Sequence, residues 1–216
     1  MGYTPAPPGS RLFLDFTREP FSRKVLDRSG MYGEPAVLQG NPRWTPKGLQ
    51  SRYNGGSCIV KNNPNIDIVS ASPQKNVIWW GLQNGMKHAP IWMMRKIHSA
   101  DEVASQYGFN VGSSDSLFRI YIYKQEGWER IPFSVVDYTK DFLWCVSWDG
   151  SVFTVYINME EIGSHAYNGN LISTGGDLVV GGRDVVGRYG QGNVAMCGIT
   201  VGASIAEFHA WYRKKS

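Results

Sequence analysis

Three stretches of this chain set an aromatic ring beside planar polar side chains. They are "KQEGWER" around Trp128, "HAYNGN" with His165, Tyr167, Asn168 and Asn170, and "GGRDVVGRYGQ" with Arg183, Asp184, Arg188 and Tyr189. That combination suits a sugar. The C–H face of a pyranose lies on a ring, while Asn, Asp and Arg side chains fix its hydroxyls. The Tyr, Gly and Asn content is also that of adaptable recognition loops. The plainer reading of the same stretches is surface turns, each with one packing aromatic.

Other chemistry is poorly supplied. Retaining glycoside hydrolysis needs two carboxylates about 5 Å apart, facing one cleft. Glu160 and Glu161 are adjacent, so on a strand they point to opposite faces, and Glu126 and Glu129 flank Gly127-Trp128 in a turn-like stretch. "GQGNVA" at 190–195 formally matches a dinucleotide fingerprint, but a β-like run follows it where a helix is required. His88, His98, His165 and His209 are far apart and show no helical pairing for a metal. A non-enzyme is therefore expected.

The composition limits the remaining classes. The chain has 216 residues and a net charge of +4, with the basic residues scattered rather than striped, so nucleic acid is not an expected partner. No apolar run is long enough to span a membrane as a helix. Its three cysteines, Cys58, Cys145 and Cys197, each lie in an apolar strand-like run without metal or disulfide spacing, so buried free thiols are expected. The opening "MGYTPAPPGS" has no basic and apolar signal-peptide pattern. It reads as an extended arm over 1–10, ahead of one domain over 11–216.

Strands must position the candidate loops. With 25 glycines and 13% aromatics, the chain favours strands and turns over helices. Alternating runs recur at short intervals: "RLFLDFT", "SCIVKN", "NVIWWGLQ", "LFRIYIYKQ", "ERIPFSVVDY", "NLIST", "DLVVGG" and "NVAMCGITVG". The stretch "SADEVASQYGF" reads as a short helical turn capped by Ser99. In "DFLWCVSWDGSVFTVYIN", Asp149-Gly150 predicts a two-residue hairpin turn that sets Trp148 opposite Ser151 and Trp144 opposite Val155. Phe142, Trp144, Val146, Trp148, Phe153 and Val155 then share an apolar face. Leu143, Cys145, Ser147, Val152, Thr154 and Tyr156 share the mixed face, where function could sit.

The second half resembles the concanavalin A-like lectin/glucanase superfamily, especially laminin-G-like and pentraxin-like domains. The Trp144 strand, the Asp149-Gly150 turn, Tyr156 to Asn158, "DLVVGG", "GNVAMCGITVG" and "ASIAEFHAWY" carry the likeness. In the last of these Ser204 and Glu207 fall in matching places, which makes 204–212 a short helix as an alternative to a strand. Met159-Glu160 departs from the family's glycine after Asn158. The resemblance implies an all-β fold, an antiparallel two-sheet jelly-roll sandwich, and no activity by itself. It also implies calcium as a possible loop ligand. Hard oxygen donors are available from Asn62, Asn63, Asn65 and Asp67, or from Asp177 and Asp184, although turns use the same residues.

These readings converge on a non-catalytic binding or structural module. Free thiols, the missing signal peptide and a fold used mostly outside cells are reconciled on a virion surface, after synthesis in a host cytoplasm. The chain would then be a phage head decoration protein or tail adhesin, tethered to other virion subunits through its arm and meeting cell-surface glycans. The alternatives are a secreted carbohydrate-binding lectin domain and a glycan hydrolase or lyase with an unfamiliar site.

Overall fold

The computed structural model describes residues 5–18, 22–31, 34–51, 56–68, 76–85, 92–98, 105–112, 114–124, 127–167, 171–173, 175–181 and 193–214. The alternating runs become strands β1 (Ser10–Asp15), β2 (Lys24–Val25), β3 (Ala36–Gln39), β4 (Arg43–Thr45), β5 (Gly48–Gln50), β6 (Ser57–Val60), β7 (Val77–Asn84) and β8 (Met94–His98). They continue as β9 (Ser105–Val111), β10 (Leu117–Lys124), β11 (Gly127–Val135), β12 (Phe142–Trp148), β13 (Val152–Ile157), β14 (Glu160–Ala166), β15 (Gly175–Val180) and β16 (Asn193–Val201). One helix, α1 (Ile205–Arg213), ends the described chain. "NLIST" forms no strand where it is described, and the expected helical turn is half replaced by β9, its residues 99–104 lying outside the described residues.

The strands form two antiparallel sheets. The first runs β14-β13-β12-β7-β16-β5-β4, with β1 also on β16, and the second runs β11-β10-β9-β8-β15-β6-β3-β2. Their facing sides enclose the main core, where Trp79, Tyr107, Phe109, Phe118, Trp144 and Phe153 are buried together. Consecutive tryptophans in β7 divide between two cores because a strand alternates its faces. Trp79 enters the main core, while Trp80 enters a second cluster with Phe13, Leu143, Cys145, Phe208 and Trp211.

That second cluster explains α1. Ser204 Oγ accepts the Glu207 N–H at 3.2 Å, and the Glu207 carboxylate accepts the Ser204 N–H at 2.8 Å. This reciprocal capping box fixes the start of a helix, so the helical alternative for 204–212 holds and the strand does not. The helix lays Phe208 and Trp211 on the outer side of the first sheet. The mixed face of the hairpin is therefore covered and is not a ligand surface around Leu143 and Cys145.

The hairpin register also differs from expectation. Trp148 pairs with Phe153, Val146 with Val155 and Trp144 with Ile157. Gly150 has φ +100°, but Asp149 is not left-handed, so the turn is not the expected one over Asp149-Gly150. Instead the Asp149 carboxylate accepts the Ser151 and Val152 N–H groups, each at 2.8 Å, and widens the loop. The shift is two residues, an even number, so every side chain keeps its face. The tight left-handed turn falls at the next connection. Asn158 and Met159 have φ +52° and +71°, and Ile157 pairs with Glu160 across them. Met159 holds its left-handed position without being a glycine, and beside it Asn158, a residue that tolerates the conformation, accepts the Leu143 N–H on its Oδ1 at 2.9 Å.

The described part of the arm lies on its own domain. Pro5 carbonyl accepts Trp211 Nε1–H at 3.0 Å, and Gly9 carbonyl accepts the Val201 N–H at 2.9 Å. Residues 5–10 thus close the second core rather than project from it.

Candidate binding face

Strands β8, β9, β10 and β11 are neighbours in the second sheet. Apart from Lys96 of β8, their inward positions are apolar: Met94, Tyr107, Phe109, Val111, Phe118, Ile120 and Ile122. The alternate positions form the outer face, and they are not apolar. Arg95 stands opposite Gly108, Gly108 opposite Tyr121, and Tyr121 opposite Arg130, making one row across four strands. The neighbouring row pairs Asn110 with Arg119.

Trp92, just ahead of β8, lies over this row. Only a glycine leaves room, since a Cβ on Gly108 would come within 2.7 Å of the indole. The ring sits edge-on to Tyr121 with centroids 4.7 Å apart, and the Arg95 guanidinium carbon is 4.8 Å from its centroid. The result is an aromatic platform held on both sides, with cation–π attraction from Arg95. Asn110 is 6% exposed. Its Nδ2 is 3.5 Å from the Tyr121 hydroxyl, at the long limit of a hydrogen bond. Its Oδ1 and the Trp92 Nε1–H are both enclosed without a partner. Each such group costs about 1–3 kcal/mol, which a hydroxyl-bearing ligand reaching it would offset. Arg119 carries an ion pair with Asp115 beside them.

The residues singled out from sequence are distributed differently. Trp128 is opposite Tyr123 in the register of β10 and β11, and its side chain lies outside what the structure describes. His165 is half-buried in β14, its Nε2 3.9 Å from Glu129 Oε1 of β11. Ser134 Oγ donates to the Ile162 carbonyl at 3.0 Å on the same seam, so β11 and β14 close one side of the sandwich. Tyr167 is buried against Phe153 with ring centroids 5.5 Å apart, and so packs inward rather than facing solvent. Asn168, Asn170, Arg183, Asp184, Arg188 and Tyr189 lie outside the described residues. Trp92, Arg95 and Asn110 fall outside the candidate loops, and Arg119, Tyr121 and Tyr123 share one face of β10 because a strand alternates its sides.

Of the oxygen donors named for calcium, Asn62 Oδ1 accepts the Lys96 ammonium at 2.7 Å, and the Asp67 and Asp177 carboxylates are near enough to act on its charge. Asn63 Oδ1 instead accepts the Asn65 N–H at 2.9 Å, as in an ordinary Asx turn, and Asp184 lies outside the described residues. No cluster of three acidic, histidine or cysteine side chains suited to a metal occurs among the described residues. Cys58, Cys145 and Cys197 are free and buried, and burial pushes each thiol well above its ordinary pKa. They are packing groups, not nucleophiles.

No family model matches the chain, and no curated protein is similar to it in sequence. Solved structures do share its shape. The binding domain of botulinum neurotoxin serotype D superposes with a TM-score of 0.67 at 13% identity, covering 96% of this chain and 52% of that one. The binding domain of botulinum neurotoxin DC, solved in complex with rat synaptotagmin II, gives 0.67 at 14% identity with coverages of 96% and 52%. The shared feature is the sandwich. A sialidase of Trypanosoma rangeli, solved with sialic acid, gives 0.65 at 13% identity, covering 99% of this chain and 34% of the enzyme. The chain thus spans about half the length of the toxin binding domains and a third of the sialidase. At such identities the likeness establishes the all-β, two-sheet sandwich and leaves the site to its own geometry.

Proposed function

We propose that this chain is a non-catalytic, glycan-binding module of concanavalin A-like type, and that it binds through the outer face of β8 to β11. The observation that carries this reading is the Trp92 platform, flanked by Arg95 and Tyr121, with Asn110 Oδ1 and Trp92 Nε1–H left without partners beside it. A ring for the C–H face of a sugar and unpaired polar atoms for its hydroxyls are what sugar recognition requires. Support for a binding role also comes from the names of the similar structures, most of which are binding domains. The nearest approach to an acid–base pair among the singled-out residues is His165 with Glu129, which ties the two sheets together at their edge. Asn168, Asn170, Arg183, Asp184, Arg188 and Tyr189, which lie outside the described residues, carry the side-chain types that would add sugar contacts. Three unpaired thiols fit a protein made in a reducing cytoplasm. A particle surface such as a virion is the setting in which that protein would then meet glycans and neighbouring structural subunits.

A glycan array read together with a turnover assay tests the proposal. Retention of at least one glycan class without release of reducing ends is expected. Trp92→Ala is expected to weaken retention about tenfold or more, as truncation of a central aromatic anchor does, with the circular dichroism unchanged. Unaltered retention by a folded Trp92→Ala variant, or hydrolysis of the bound glycan, would overturn the reading.

A further inference from the structure

Lys96 is a charged residue in the core. It stands in β8 opposite Tyr107 of β9 and Leu178 of β15, and it is 0% exposed. An ammonium removed from water costs several kcal/mol unless oxygens surround it. Here they do. Nζ donates to Asn62 Oδ1 at 2.7 Å and to the Gly176 carbonyl. Burial lowers its proton affinity, and the nearby carboxylates of Asp67 and Asp177 act against that fall.

The same carboxylates tie down the loop that supplies Asn62. Asp177 Oδ1 accepts the Asn62 N–H at 3.0 Å, and its Oδ2 accepts the Lys61 ammonium at 2.7 Å. Ser173 donates to Asp67 Oδ2, while Asp67 Oδ1 is enclosed without a hydrogen-bond partner. Beyond Asn62 the loop inserts Ile66 and Ile68 into the main core. The Tyr107 hydroxyl and Gln106 Nε2 hold its Ile66 and Ile68 carbonyls at 2.9 and 2.7 Å. A side-chain amide oxygen and a backbone carbonyl in contact with the ammonium, with two carboxylates from separate segments acting on its charge, are the kinds of oxygen that line a cation site. In this chain the cation at their centre is part of the chain.

We propose that Lys96 is the resident cation of this loop junction. Its ammonium gathers the oxygens that a divalent ion would otherwise gather, so the link between residues 61–68 and β15 is independent of metal. The inference stands apart from the glycan reading, since none of these residues belongs to the Trp92 face.

Limited proteolysis and thermal unfolding of the full chain, in millimolar calcium chloride and in chelator, test it. The wild-type midpoint is expected to be the same in both. Lys96→Met keeps the bulk and removes the charge. Cleavage within 61–68 is expected to rise about tenfold or more, the equilibrium change that follows loss of one charge-assisted hydrogen bond. Calcium is expected to reverse part of that rise, and Asp177→Asn in the Lys96→Met background to abolish the reversal. A wild-type midpoint that climbs with calcium, unchanged cleavage in Lys96→Met, or a rise in cleavage that calcium leaves untouched would each overturn the proposal. If Lys96→Met fails to fold, Asn62→Ala reads the same junction with the ammonium in place. Faster cleavage at 61–68 without a calcium response is then expected, and unchanged cleavage overturns the proposal.

Discussion

The Trp144 ring meets three other strands at once. It packs on Phe109 and Phe118 of the opposite sheet, with centroids 5.2 and 6.2 Å away. On its own sheet it lies across Gly81, where a Cβ would be 2.7 Å from Nε1. The small residue and the large one are a matched pair, because close-packed cores have no slack for both to be large. Tyr156 lies on the other side of the hairpin, half-buried, with its ring edge-on to His209 at 5.4 Å. Trp144→Ala should therefore cost about 3–5 kcal/mol, and Tyr156→Ala clearly less. Urea unfolding of the two variants checks this, and equal losses would contradict the assignment of faces. Those faces were legible in the sequence because alternation survives an even shift of register. The register itself was not legible. Asp149 captures two backbone N–H groups with its side chain, and the Asp-Gly signal does not say whether the aspartate does so.

At the scale of elements, α1 is the fastening that the sequence half disclosed. Ser204 and Glu207 at cap spacing marked its start, but the same stretch alternates well enough to pass for a strand. What decided it is the second core. Phe13, Trp80, Leu143 and Cys145 would face water unless something covered them. His209 sits in that cover, with the Tyr156 and Phe208 rings beside it. Burial, with the Arg213 charge as a second cause, holds its pKa below the ordinary 6.5. The unfolded chain therefore binds the proton more readily than the folded one, so stability is full above pH 6.5 and declines as the pH falls below it. The Glu207 carboxylate, held below its ordinary 4.5 by the cap hydrogen bonds, loses its contribution only at lower pH. The two windows separate. Urea midpoints measured from neutral pH down to about pH 5 should fall in the wild type and stay nearly level in His209→Gln. The Trp211 environment, followed by near-UV circular dichroism, should report the same loosening.

At the scale of the whole molecule, both ends of the described chain are built into one sheet. β16 lies between β7 on one side and β1 and β5 on the other, so strands from opposite ends of the sequence pair at its centre. That closure explains which parts of the fold were legible. Local alternation announces a strand, but the pairing of Leu14 with Cys197 has no local signature. The Trp92 face was hidden for the same reason, since Arg95, Gly108 and Tyr121 become neighbours only when β8, β9 and β10 align. The closure also ranks the two termini. Residues 5–9 add a proline carbonyl under Trp211 and a glycine carbonyl beside Val201. Deleting them should lower the thermal midpoint by a few degrees and leave the transition cooperative, the effect of about one or two kcal/mol in a chain of this size. Truncation after Gly202 is more severe although it spares every strand. It strips Phe208 and Trp211 from Trp80, whose centroids lie 5.4 and 5.3 Å away, and leaves an apolar patch open on the first sheet. That variant should bind a hydrophobic dye, unfold without a sharp transition and self-associate, while the arm deletion stays monodisperse by light scattering. A truncated chain that melts as sharply as the intact one would show that α1 is an accessory and that the second core closes by some other contact.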